Sequence, residues 1–184
     1  MLSQEFNSLR ARLSDDVAFF KLRCNDSTNR EIMRRSYVRS FFVFIEGYMY
    51  GFKQLSLKIS EEINGVKLKP EEIIALKEVE ILVDSNGELK ERPKYTPAKN
   101  SLILVFKAIS KQHEADFTLN KGDNGWSCYC DSIKIRDRLM HPKSPHDLEI
   151  SDSELQLVDT AYSWFSGQLR NLESSIAIAA RSNA

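Results

Sequence analysis

The stretch "SFFVFIEGYMYGF", residues 40–52, places six aromatic side chains among thirteen positions. Extended in both directions, its apolar residues Tyr37, Phe41, Phe44, Tyr48, Phe52, Leu55 and Ile59 recur at spacings of three and four. That is the period of one face of an α-helix. A second stripe, Val38, Phe42, Ile45 and Met49, runs beside the first. The spacing predicts a helix from about Thr28 to Ile59. An apolar arc this wide belongs to a central helix buried by several neighbours, or by neighbours plus a second subunit. The apolar run is too short to span a bilayer and carries Glu46 inside it.

The rest of the chain continues in the helical period. Residues 4–23 set Phe6, Leu9, Leu13, Val17, Phe20 and Leu22 among charges, an amphipathic helix. Pro70 followed by Glu71 and Glu72 reads as a helix start, with its end expected near the turn "DSNG", 84–87. Thr96-Pro97 opens another helix bearing Leu102, Val105, Phe106 and Ile109, and 115–125 reads as a loop. A further helix begins near Gly125. Ser151 with Glu154 forms a capping box, and Ile150 can staple onto Leu155. The last helix extends to about Ala180 through Leu157, Ala161, Trp164 or Phe165, Leu169, Leu172, Ile176 and Ala179. Residues 60–95 are the most polar and read as an excursion or insertion. The expectation is an all-α bundle in one domain, 1–184, with a long central and a long C-terminal helix.

Composition narrows the function. Lys plus Arg equal Asp plus Glu at 26 each, so any contact with nucleic acid must come from a local patch. Cys24, Cys128 and Cys130 are odd in number, and the last two are too close in sequence to bridge comfortably. The opening residues are charged and lack an apolar secretory core. A soluble cytoplasmic protein is expected.

One short segment carries chemistry: "IRDRLMHPKSP", residues 135–145. The residue before a proline is pushed out of the α region, so His141 should end its helix. Asp137, four residues earlier, shares the face of His141 and can reach a ring nitrogen. Arg136 follows the side of Tyr129, Ile133 and Met140 and is expected to point inward. Asp131, Lys134 and Arg138 are expected on the solvated side. An inward guanidinium needs an acid or a phosphate as partner. The bland alternative is a helix terminus whose cations suit the dipole.

Arg136-Asp137-x3-His141 resembles the Arg-polar-x(3–5)-His motif of HEPN domains, the higher eukaryotes and prokaryotes nucleotide-binding superfamily. Those domains are small helical bundles with the motif at the end of a late helix, followed by one more long helix. The likeness covers six residues, and its setting is closest to the HEPN proteins of prokaryotic toxin–antitoxin and anti-phage systems. It implies a metal-independent, cofactor-free endoribonuclease, usually a homodimer with two motifs facing one cleft. An antitoxin or sensor protein is the partner implied beside RNA. In that chemistry His141 takes the 2′-hydroxyl proton, since imidazole titrates near neutrality. Arg136 stabilises the charge of the pentavalent phosphate, and Asp137 orients one of the two. Some relatives are binding or scaffold modules. The alternative is therefore a non-catalytic helical dimer that binds a nucleotide or a partner protein.

Four arginines, Arg30, Arg34, Arg35 and Arg39, make the strongest local basic patch. Arg34 and Arg35, with Arg138 and Lys143 near the motif, are the expected RNA contacts. Arg39, Glu46 and Lys53, seven apart, read as one solvated strip. His113, His146, Cys128 and Cys130 match no structural zinc spacing, so no metal site is expected.

Overall fold

The aromatic stretch lies inside a 32-residue helix in the computed structural model, which describes residues 4–62 and 66–182. The elements run α1 (Gln4–Arg23), α2 (Arg30–Glu61), α3 (Pro70–Leu76), β1 (Val79–Val83), β2 (Leu89–Pro93), α4 (Ala98–Gln112), α5 (Asn124–Met140), a 3-10 turn (Pro145–Leu148) and α6 (Asp152–Ser182). Six helices dominate and the all-α expectation holds, with one small hairpin added. No helix among the described residues is long and apolar enough to cross a membrane. Of the polar stretch 60–95, residues 63–65 lie outside the described residues.

The chain divides into two compact units. The first holds Met1–Tyr48 and Asn120–Arg170, the second Met49–Leu119 and Asn171–Ala184. In the first unit, Tyr37, Val38, Phe41, Phe42, Phe44, Ile45 and Tyr48 of α2 are all buried, as the two stripes require. Phe44 meets Tyr48 and Phe165 of α6 edge-on, with ring centroids 4.8 and 5.8 Å apart. Such geometry sets the positive ring edge against the negative face.

In the second unit, Phe52 and Phe106 pack edge-on at 6.3 Å. Gln112 donates from Nε2 to the Ser56 carbonyl and the Ser60 hydroxyl. The helix begun by Pro70 is about two turns shorter than expected and stops at Leu76. Glu78 takes a left-handed φ of 54°, and the β-branched run "VEILV" becomes a strand. β1 pairs antiparallel with β2, Ile81 opposite Glu91 and Val83 opposite Leu89. Asp84 closes the turn by accepting from the Asn86 and Glu88 amides, and Gly87 supplies a φ of 80°. The helix signals at 70–72 were local. The β-branched residues beyond them, Val79, Ile81 and Val83, favour a strand.

α5 is fixed at its start by two devices. Asp123 accepts from the Trp126 amide as N-cap. Gly125 then lets the helix approach Trp164 of α6 so closely that a Cβ would lie 2.4 Å from the Trp164 Cβ and 2.5 Å from its indole. The indole cannot withdraw, because Nε1 donates to the Asn120 carbonyl and the ring stacks on Tyr129.

From the last turn of α5 to the start of α6, the carbonyls of Leu139, Leu148 and Ile150 lie where helical amides run out. Arginines from α2 supply their partners. Arg34, only 3% exposed, donates to the Cys24 and Ile150 carbonyls and pairs with Asp152 at the start of α6. Arg35 reaches the Leu148 carbonyl at 3.3 Å, Arg39 the Leu139 carbonyl at 3.2 Å, and Arg30 pairs with Asp152 at 2.6 Å. The capping box holds as expected: the Glu154 amide donates to Ser151 Oγ, and the Ser151 amide to the Glu154 carboxylate.

Two outcomes follow from this packing. Gly125→Ala should lower stability by about 1–3 kcal/mol through overpacking against Trp164, read by chemical denaturation. An unchanged midpoint would show that the indole has room to move.

Arg34→Ala should cost about 2 kcal/mol by orphaning buried carbonyls. The Arg34 hydrogen bond and charge, with Arg30, hold the Asp152 carboxyl below the usual carboxylate range. A carboxyl depressed in the folded state stabilises above its unfolded value of about 3.9. That contribution is lost as pH falls through the folded value. Denaturation midpoints followed from pH 5 to pH 2 should therefore drop more in the native chain than in Asp152→Asn.

Candidate functional site

α5 buries Gly125, Tyr129, Ser132, Ile135 and Leu139. Arg136 lies seven residues beyond Tyr129, within about 20° of it around the helix, at the edge of that buried face. Its guanidinium stands 5.9 Å from the Phe42 ring centroid. Arg136 Nη2 contacts Glu46 Oε1 of α2 at 2.5 Å, and Nη1 contacts Asp137 Oδ1 at 3.0 Å. Partial burial opposes its charge, but the Asp137 hydrogen bond and the Glu46 carboxylate outweigh that and hold it more firmly protonated than usual.

The expected inward placement of Arg136 is thus half met: its side chain is 30% exposed. Met140, expected beside it as an apolar partner, is half exposed instead. The last turn of α5 rotates Leu139, not Met140, into the core.

Asp137 does not serve His141 as expected. Its carboxylate turns to the adjacent guanidinium, and only its backbone carbonyl accepts the His141 amide, at 3.1 Å. A neighbouring cation offers a charge-assisted bond, and that competes successfully with a ring nitrogen four residues on. His141 itself ends the helix, with φ −131° and ψ 55°, outside the α region as its following Pro142 demands. Its side chain is exposed. Among the described residues, the ring makes no hydrogen bond.

Sequence reasoning missed the contribution of α2. Arg39 and Glu46 were expected on a solvated strip with Lys53. Both are exposed, yet each reaches the last turn of α5: Arg39 to the Leu139 carbonyl, Glu46 to Arg136. Their spacing of seven, two helical turns, sets both on one strip of α2, and what stands opposite that strip is decided by packing. Lys53, in the second unit, pairs with Glu78 at 2.7 Å.

The expected RNA contacts fare differently from one another. Arg34 is buried and committed to carbonyls and Asp152, so it is a structural residue rather than a contact for RNA. Arg35 is half buried at the Leu148 carbonyl. Arg138, expected on the solvated side, clasps the start of α6: it pairs with Glu154 at 2.9 Å and donates to the Glu149 carbonyl. Its Nε is buried with no hydrogen-bond partner. Burial raises the Glu154 carboxyl, but the Ser151 amide and Arg138 more than reverse this and leave it lowered. Lys143 is exposed, only its amide being engaged, by Asp147.

Each of these is a charge already spent on the fold, Lys143 excepted. No group of three or more His, Cys, Asp or Glu side chains among the described residues is arranged to hold a metal ion. The arrangement can present an imidazole to solvent at the end of α5 and, five residues earlier on the same helix, a guanidinium clamped by two carboxylates. Comparison with protein-family models, with curated proteins and with solved structures finds no match to this chain.

Proposed function

We propose that this chain is a metal-independent endoribonuclease of the HEPN type, working as a homodimer and held in check by an antitoxin or sensor protein. The observation that supports it is the state of His141: an exposed imidazole, free of side-chain hydrogen bonds among the described residues, at the end of the helix that carries the tethered Arg136 five residues earlier. A general base needs access to its proton and an uncommitted ring nitrogen. In this reading the imidazole accepts the 2′-hydroxyl proton, and the 2′-oxygen bonds to phosphorus. The P–O5′ bond then breaks and the 5′-oxygen takes a proton from solvent water, leaving a 2′,3′-cyclic phosphate and a 5′-hydroxyl. Arg136 offers a planar fork of donors to the extra negative charge on the phosphorane.

A second reading has its own support. Both Nη atoms of Arg136 are occupied by carboxylates and Asp137 is turned away from His141, as suits a binding or scaffold module. Cleavage of a single-stranded oligoribonucleotide in the presence of EDTA separates the two. His141→Ala and Arg136→Ala should each reduce cleavage by about 10²- to 10⁴-fold with little change in melting temperature. Absence of cleavage by the native chain, or cleavage undiminished in His141→Ala, would sink the ribonuclease reading.

Lys143→Ala should weaken RNA binding and reduce the salt dependence by about one phosphate contact. Arg138→Ala should instead lower the melting temperature, because Arg138 joins α5 to the start of α6. A stable Arg138→Ala variant with impaired RNA binding would reverse those two assignments.

A further inference from the structure

We infer that Glu46 is a positioning residue that gates Arg136, occupying the guanidinium until a phosphate displaces it. This rests on reading Arg136 as a phosphate ligand and extends that reading from the motif to a second helix.

The two carboxylates on Arg136 differ in kind. Asp137 is its neighbour in sequence and moves with it. Glu46 comes from α2, ninety residues away, and meets Nη2 at 2.5 Å. The guanidinium fork matches two oxygens of one phosphate. Glu46 holds part of that fork and places a negative charge where the phosphate charge would go. It both competes for the donors and repels the ligand.

Displacement is nonetheless easy. The Glu46 side chain is 56% exposed, and among the described residues Arg136 is its one ion-pair partner. An exposed ion pair shifts an equilibrium by only about fivefold. Its loss also leaves the rest of the site in place. Arg136 is still restrained by Asp137 and by the Phe42 ring, and the helix end is still held by Arg39 on the Leu139 carbonyl. Glu46 thus sets how readily the guanidinium is available without being needed to build the helix.

The test uses the full chain and an uncleavable probe, a fluorescent single-stranded RNA with 2′-O-methyl groups at every position. Because no 2′-hydroxyl is present, binding is measured whether or not the protein cuts RNA. Glu46→Gln, nearly isosteric, should bind the probe about fivefold more tightly than the native chain. The gain should vanish in the Glu46→Gln/Arg136→Ala double variant. Glu46→Asp, which keeps the charge but shortens the reach, should give a smaller gain and serves if the glutamine variant is poorly folded.

A role confined to stability would move the melting temperature and leave affinity no higher. Unchanged or weaker binding in folded Glu46→Gln overturns the gate. So does a gain that persists without Arg136. If the native chain and Glu46→Gln both bind no better than Arg136→Ala, the assignment of Arg136 to phosphate fails, and the gate fails with it. Cleavage of ordinary RNA by the native chain is a separate measurement, so the outcomes do not merge.

Discussion

Unpaired carbonyl groups between α5 and α6 impose the constraint on which this first unit depends. A chain that leaves a helix at His141 and enters another at Asp152 exposes a run of backbone acceptors, and burying them unpaired is costly. α2 answers with Arg34, Arg35 and Arg39, whose guanidinium groups reach the Ile150, Leu148 and Leu139 carbonyls. Arginine suits this work because it stays charged and its donors spread in a rigid plane. The position of the motif then follows. The last turn of α5 is placed by what α2 holds, so Arg136 and His141 inherit their geometry from a helix far away in sequence.

This dual use of α2 explains why a patch rich in arginine is poor in free charge. A solvated basic strip and a comb of structural arginines have the same composition. They differ only in what stands opposite, and carbonyl oxygens leave no trace in a sequence. The same limit hid the role of Glu46, whose partner is fixed by tertiary packing. Asp137 stays open between two partners for another reason: both groups lie within its reach, and sequence spacing cannot rank a guanidinium against an imidazole.

Other features were legible because local rules determined them. Two apolar stripes at helical spacing specified α2 and its burial. Ser151 and Glu154 marked the start of α6 by a reciprocal pair of hydrogen bonds, and Pro142 marked the end of α5 by steric exclusion alone. The hairpin at 79–93 was not foreseen, since Pro70, Glu71 and Glu72 gave a correct start and the turn at 84–87 reads as a helix stop instead of a hairpin turn. The stop depended on Glu78 adopting a left-handed conformation and on Asp84 organising the turn. Both are choices made among several that the sequence permits.

The hairpin also bears on how this chain guards against edge-to-edge strand pairing. β2 has one neighbour in its two-stranded sheet, all five of its residues are exposed, and Val83 and Leu89 form an apolar cross-strand pair beside it. An open edge next to apolar surface is a template for strand addition by another chain. The sequence of β2 counters this: Lys90, Glu91 and Arg92 put charge on every central position, and Pro93 withholds an amide at the end. A neighbouring strand would have to bury those charges or leave an acceptor unmet. The polar character of this segment therefore acts as gatekeeping, keeping the least covered strand of the molecule from recruiting its own kind.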